Sequence, residues 1–287
     1  MHEGIDRCAP SDNTLRTCRR GTKGSILLVA LHRPHVKNAM NDKVFEDLIE
    51  IFESAAKDDS VSAIVLTGSG SYFSSGADLK GGTYTAEAGG RQSRIKPGGR
   101  FMMALISFPK ILAAAVNGPT VGIATCALMH CDLVYCSESA TFWAPFTRLA
   151  LVPELCSSTT FMSSMGLAKA NELLLLGKRI DARTAVDWNI CSRIVGKVDE
   201  SGDPFHPNSL ASVMCDELDK QLLSLPLGSK TATYFTSLVK GSRQRHLEQV
   251  VREELEKLDE RFDTGQVAVA AKALNFGSRP EGPRSRL

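Results

Sequence analysis

No two cysteines in this chain stand in a C-x-x-C pattern, no apolar run approaches the ~18 residues of a membrane-spanning helix, and neither sign of charge dominates. Each absence removes a class. The eight cysteines (Cys8, Cys18, Cys126, Cys131, Cys136, Cys156, Cys191 and Cys215) are scattered, several of them in apolar stretches. A chain of 287 residues buries a sizeable core without disulfide staples. The cysteines therefore read as reduced, small hydrophobic residues of an intracellular compartment. The spacing of Cys126, Cys131 and Cys136 suits no common zinc pattern, and no metal is expected. With 34 basic and 32 acidic residues, the net charge of +2 is too balanced for a nucleic-acid or anionic-membrane partner. Glu3, Asp6 and Asp12, with no apolar stretch beside them, argue against a secretory signal, and the acids argue against a mitochondrial presequence. No internal repeat of solenoid length is present.

What is there centres on residues 111–158. Ile111 to Val116 is an apolar run long enough for one buried strand, and Asn117-Gly118-Pro119 is a turn signal. Val121 to Met129 is apolar, small and uncharged; its later part reads as a buried helix whose first N–H groups lie near Gly122 and Ile123. Such a helix start presents unpaired donors and the positive dipole end, suited to a developing negative oxygen. A short strand around Leu133-Val134-Tyr135 follows, then Ala140 to Phe146, then Val152-Pro153-Glu154-Leu155-Cys156-Ser157-Ser158. Glu154 is the only carboxylate between Glu138 and Glu172. A lone acid in an apolar, proline-marked stretch is either a buried base or the charge at a helix N-terminus.

Upstream, residues 1–22 are polar without period and read as a loose arm. Ser25 to Leu31 and Val61 to Thr67 are strand candidates. Between them, Asn41 can cap a helix with Val44, Leu48, Ile51 and Phe52 on one face. The preceding loop carries Arg33 and Lys37, which either face a phosphate-bearing ligand or form an ordinary solvated basic loop. Gly68 to Leu79 is glycine-rich and follows a strand, but it holds no Gly-Lys-Ser/Thr, and Phe73 stands where a dinucleotide fingerprint needs its third glycine. What remains is a tight loop presenting backbone N–H groups. Gly81 to Arg100 holds six glycines and four cations with no hydrophobic period, and reads as a mobile lid over a ligand. Phe101 to Phe108 is a helix candidate.

Taken together, Asn117-Gly118-Pro119-Thr120-Val121-Gly122, Cys131-Asp132-Leu133-Val134-Tyr135, Ala140-Thr141-Phe142 and the earlier Phe73-Ser74-Ser75-Gly76-Ala77-Asp78-Leu79 resemble the signature of the enoyl-CoA hydratase/isomerase (crotonase) superfamily. Pro153-Glu154-Leu155-Cys156-Ser157-Ser158 is similar to the peroxisomal Δ3,Δ2-enoyl-CoA isomerases. The resemblance spans roughly Ser25 to Val195. It implies an α/β fold, the ClpP-like crotonase spiral of repeated ββα units with a C-terminal helical trimerisation region. It also implies an oxyanion hole from the backbone N–H groups of Ala77 and Ile123, and Glu154 as a single base moving a proton between C2 and C4 of a 3-enoyl-CoA. In an apolar pocket the pKa of such a carboxylate is expected to rise, which suits both steps. The substrate contacts implied are Ser75, Gly76, Ala77, Asp78, Leu79 and Gly122, with Arg33 and Lys37 as candidates for the CoA phosphates. CoA is carried by the substrate, and no further cofactor is expected. The two glutamates of the hydratases fall on Cys126 and Phe146, and neither can activate water. A catalytically silent acyl-CoA binder, or another CoA-thioester reaction such as hydrolysis, stays open.

Toward the C-terminus, Asp181 can cap a helix, and Ile190 to Val195 reads as the last strand. Gly202, Pro204 and Pro207 mark a boundary, giving an arm (1–22), a core (23–200), a helical region (201–278) and a tail (279–287). Two apolar stripes follow, one from Leu210 to Leu225 and one from Leu247 to Phe262. By resemblance the second packs on the core and on neighbours in a homotrimer. Ser285-Arg286-Leu287 resembles the Ser-Lys-Leu type of address read by the peroxisomal import receptor, which implies a peroxisomal location.

Overall fold

The computed structural model describes residues 14–79 and 96–273. Its centre is strand β4 (Ile111–Val116), in which Leu112 through Val116 have no measurable exposure. A run without polar alternation forms a strand buried on both faces, and its neighbours are parallel. They are β3 (Ala63–Gly68) on one side and β6 (Leu133–Cys136) on the other, with β2 (Ile26–Leu31) and β1 (Leu15–Arg20) beyond β3 and β9 (Arg193–Ile194) beyond β6. Only β1 runs antiparallel in this six-stranded sheet. A second, three-stranded sheet holds β5 (Thr120–Val121), β7 (Thr141–Trp143) and β8 (Ile180–Asp181).

Strand β1 corrects the reading of residues 1–22 as a loose arm. Residues 1–13 lie outside the described residues, but Leu15–Arg20 pair along their whole length with β2. The pattern hid the strand because only Leu15 and Cys18 are buried, and three arginines lie between and beyond them. Those arginines reach other elements: Arg16 to Asp203, Arg19 to Asp58 and Arg20 to the Phe205 carbonyl.

Helix α1 (Asp42–Lys57) begins as the sequence implies, with Asn41 Oδ1 accepting from the Val44 amide at 3.1 Å. Its buried residues Val44, Phe45, Leu48 and Phe52 meet α2 (Pro97–Ser107), whose Phe101 lies 5.3 Å from the Phe45 ring. Burying each of these large side chains contributes about 2 kcal/mol. Of the glycine-rich segment read as a lid, residues 80–95 lie outside the described residues, and Pro97 to Arg100 form the first turn of α2.

After β5 come α3 (Ile123–Ala127), then α4 (Ser157–Met165), α5 (Leu167–Leu174) and α6 (Ala182–Asp187), the last capped by Asp181 on the Thr184 amide at 2.8 Å. Helix α7 (Leu210–Ser224) lies on the opposite sheet face from α1 and packs Leu210, Met214, Cys215 and Leu218 against Ile26, Leu28, Val65 and Ala113. It therefore supplies a layer of the core, although the sequence boundary at 201 sets it in a separate helical region.

Helix α8 (Ser229–Asp263) is much longer than its C-terminal apolar stripe, because only Leu247, Val251, Leu255 and Leu258 in that half are buried among the hydrophobic core. The helix is pinned further upstream by Lys240, whose Nζ reaches Asp132 Oδ2 at 2.8 Å and the Lys110 carbonyl at 2.7 Å. Helix α9 (Gln266–Ala273) follows. No described helix is long and apolar enough to cross a membrane.

Candidate functional site

Two loops that are far apart in sequence are stitched side by side at the ends of β3 and β4. The Val121 amide donates to the Ser74 carbonyl at 3.0 Å, and the Ser74 amide donates to the Pro119 carbonyl at 3.3 Å. Gly76 and Gly122 meet here, both with positive φ, +84° and +59°. A Cβ on Gly76 would stand 2.6 Å from the Val121 carbonyl oxygen, so only glycine lets the loops approach this closely.

The neighbouring amides explain which donors are left over. Gly76 N donates to Ser74 Oγ, and Asp78 N donates to the Met40 carbonyl at 2.9 Å. Met40 N in turn donates to the Gly76 carbonyl at 2.8 Å. In this parallel bridge between Met40 and Ala77, the residues flanking Ala77 make the bonds, and the Ala77 N–H is directed away from Met40. In the second loop, Gly122 N donates to the Trp143 carbonyl at 2.7 Å, while Ile123 is the first residue of α3. A first-turn amide has no partner within its helix. Ala77 thus keeps its amide off the Met40 bridge, and Ile123 carries an amide with no partner inside its own helix.

Both loops are fixed by asparagines, buried Asn38 and half-buried Asn117, of which the sequence marked only Asn117, and only as part of a turn. Asn38, itself left-handed at φ 54°, donates through Nδ2 to the Ser69 carbonyl at 2.8 Å and the Tyr72 carbonyl at 2.7 Å. Asn117 accepts from the Gly68 amide and donates to the Gly70 carbonyl. The signal was their place next to turn residues, where Asn both tolerates left-handed backbone and bonds to nearby main chain.

The other residues predicted for substrate contact divide. Ser75 N donates to the Lys37 carbonyl, which joins the first loop to the basic loop. Arg33 Nη1 lies 3.0 Å from Asp78 Oδ2 and 2.6 Å from the Ala39 carbonyl, so this cation holds the loop that carries Ala77. Lys37 is exposed, with Nζ 5.2 Å from the centre of the Tyr72 ring. Of the two cations considered for phosphates, Lys37 is the one facing solvent. Leu79 is half-buried and is the last described residue of its loop.

Glu154 is 4% exposed. It lies beside α3: burial pushes the Cys126 thiol well above its ordinary pKa, and the Glu154 charge adds to that rise. Cys126 and Phe146 are both buried, so the positions matched to the hydratase glutamates hold a neutral thiol and a ring. The residues after Glu154 are unusual. Leu155 and Cys156 are both left-handed, at φ 54° and 59°, and α4 starts immediately after them.

The task of balancing the start of α4 falls to Glu254 of α8. Its Oε2 accepts from the Cys156 amide at 2.6 Å, and its Oε1 accepts from the Ser158 amide at 3.1 Å and the Ser158 hydroxyl at 2.6 Å. Burial raises the Glu254 carboxyl above its usual value, against the lowering effect of those three bonds. At the start of α4 the Cys156 and Ser158 amides thus have the Glu254 carboxylate as their acceptor. The sequence concealed this because Glu254 looks like one acid among many on a charged helix.

On the other side of the same turn, buried His130 donates through Nε2 to the Leu155 carbonyl at 3.0 Å. Burial holds this imidazole down at about 4, with Arg243 and Lys240 contributing, from an ordinary 6.5. The unfolded chain therefore takes up the proton first, and stability present above pH 6.5 is lost as pH falls toward 4. That loss amounts to about 3 kcal/mol at most. Urea unfolding between pH 7 and pH 4.5 should show this decline, and His130→Gln should flatten it. An unchanged pH slope in the variant would refute the assignment.

With this geometry in view, the likenesses to other proteins are informative. Residues 21–222 match the model of the enoyl-CoA hydratase/isomerase family. The chain is 43% identical over 168 residues to enoyl-CoA delta isomerase 2 of Rattus norvegicus, covering 57% of this chain and 42% of that protein. It is 40% identical over 168 residues to the peroxisomal enoyl-CoA delta isomerase 3 of Mus musculus, covering 57% and 52%. The chain thus spans about half the length of these curated relatives. Among solved structures, Pseudomonas aeruginosa OdaA superposes with a TM-score of 0.80 at 29% identity, over 92% of this chain and 99% of that one. The sheet, the paired loops and the C-terminal helices are those of the crotonase fold, and the chain belongs to the enoyl-CoA hydratase/isomerase family.

Proposed function

We propose that the protein isomerises 3-enoyl-CoA thioesters to trans-2-enoyl-CoA, serving the oxidation of unsaturated fatty acids. The observation that carries this reading is one buried carboxylate, Glu154, next to Cys126 of α3, the helix that Ile123 opens, with no second acid at Cys126 or Phe146.

The thioester carbonyl and the neighbouring double bond together acidify C2. Glu154 takes a C2 proton, and the electron pair moves onto the thioester oxygen as a dienolate. The amides of Ala77 and Ile123 stabilise that oxygen, where a single donor is worth about 3–4 kcal/mol. The protonated Glu154 then returns its proton at C4, and the double bond ends in conjugation. Proton and electron pairs balance with no outside reagent. Hydration would need a second group to activate water, and a buried thiol with a raised pKa does not serve. Lys37 is the candidate contact for a CoA phosphate.

The assay is conversion of 3-hexenoyl-CoA to the 2-enoyl form, with hydration of crotonyl-CoA run alongside. Isomerisation without matching hydration supports the reading. Hydration as the faster reaction would replace it, and no turnover of either substrate would favour a silent acyl-CoA binder.

A homotrimer is part of the same proposal. Two apolar sets stand exposed on the protomer, Tyr234, Phe235 and Leu238 on α8 and Leu167, Leu175 and Leu176 around α5. Different patches that meet between copies close into a ring. Sedimentation at the mass of one chain would rule this out. Ser285-Arg286-Leu287 lies outside the described residues; we propose it as a peroxisomal address. Diffuse cytosolic fluorescence of a fusion carrying this C-terminus would refute that.

A further inference from the structure

We propose that Glu254 is a positioning residue for Glu154, holding in place the strained turn that aims the base. The inference rests on the reading of Glu154 as the base.

The strain is local and visible. Two consecutive non-glycine residues, Leu155 and Cys156, occupy the left-handed region directly after Glu154. Such conformations persist only when surrounding contacts determine them. Cys156 sits at the N-cap of α4 yet supplies no capping side-chain bond of its own. The cap comes instead from 98 positions downstream, where the buried Glu254 carboxylate gathers the Cys156 amide, the Ser158 amide and the Ser158 hydroxyl. A carboxylate at this end also complements the helix dipole. Cys156 Sγ adds a contact at 3.2 Å to the Leu247 carbonyl on the same helix.

The support behind Glu254 is rigid. Lys240 ties α8 to Asp132 and the Lys110 carbonyl, and Arg261 Nε donates to the Ala150 carbonyl at 2.9 Å. Both ends of the segment that carries Glu254 are thus bonded to the core that flanks the site. Loss of these bonds would let the 155–156 turn relax toward ordinary backbone and rotate Glu154 away from C2 and C4. Helix α8, outside the matched family segment at 21–222, then controls the chemistry by placing the base.

The test is kinetic. Glu254→Gln keeps the shape but turns an NH2 toward one of the amides it must accept from. We expect kcat for 3-hexenoyl-CoA to fall by about 30-fold, the scale of a misplacement well under 1 Å, with KM within about twofold. Ser158→Ala removes one bond and leaves the carboxylate; it should fold as wild type and lose about threefold in kcat. Combined with Glu154→Gln, Glu254→Gln should cause no further loss, because a misplaced base matters only when a base is present. Wild-type kcat in Glu254→Gln overturns the proposal, and so does a multiplicative loss in the double variant. If Glu154→Gln alone retains full rate, the base assignment fails and the positioning role falls with it. If Glu154→Gln is inactive while Glu254→Gln is normal, only the positioning role fails.

Discussion

Replacing Glu154 with Gln is expected to lower kcat for isomerisation of 3-hexenoyl-CoA by about 1,000-fold, within the range a positioned general base supplies. Gln preserves the volume of a side chain that is only 4% exposed, so the fold should hold. It cannot accept a proton from C2 or return one at C4, so both steps of the transfer are lost together. KM for the CoA thioester should change little, because the carboxylate acts on the reacting carbons and not on the CoA portion. The measurement is kcat and KM for both proteins, with thermal unfolding as the control. A variant that keeps full kcat would show that Glu154 is structural and that the base lies elsewhere. The structure makes that outcome informative, since the amides at the start of α4 already have Glu254 as their acceptor.

Gly76→Ala should have the next largest effect, about a 100-fold loss of kcat, the scale of one misplaced oxyanion donor. The added methyl meets the Val121 oxygen at 2.6 Å, and the position has φ +84°, which an L side chain rarely adopts. Backbone must move, because the atom it strikes is main chain. What moves is the junction between the segment holding Ala77 and the segment leading to Ile123. Gly166→Ala is the matched control: its φ is +82°, but no atom lies within 4 Å of the new methyl. It pays the backbone strain without the collision. Both variants should lose stability, and only Gly76→Ala should lose most of the rate. Equal kcat in the two would show that the close approach of the loops is not used in catalysis.

Much of this was readable because the relevant signals are local. Ile111 to Val116 is apolar at every position, and a strand covered on both faces must be so. Asn41 and Asp181 precede their helices by one residue, and each bonds where a cap bonds. Glu154 stood out as a lone acid in an apolar stretch, and it is buried.

What the chain could not disclose along its length is contact between distant segments. Strand β1 is held by pairing with β2, so its own pattern carries little of the information. Arg33 was legible as a cation but not as the partner of Asp78, a pairing that depends on how two loops fold over each other. Glu254 is indistinguishable in sequence from the other acids of α8, since periodicity reports which face is buried and not which main-chain amides that face will meet. The sequence by itself determined the central strands, marked the two loops and singled out Glu154 as a lone acid in an apolar stretch, because backbone preference and burial act over a few residues. Only the tertiary structure decided which side chains hold the turn after Glu154, because hydrogen bonds spanning 98 and 25 residues form only once the core has brought Glu254 of α8 and His130, three residues past α3, to the same place.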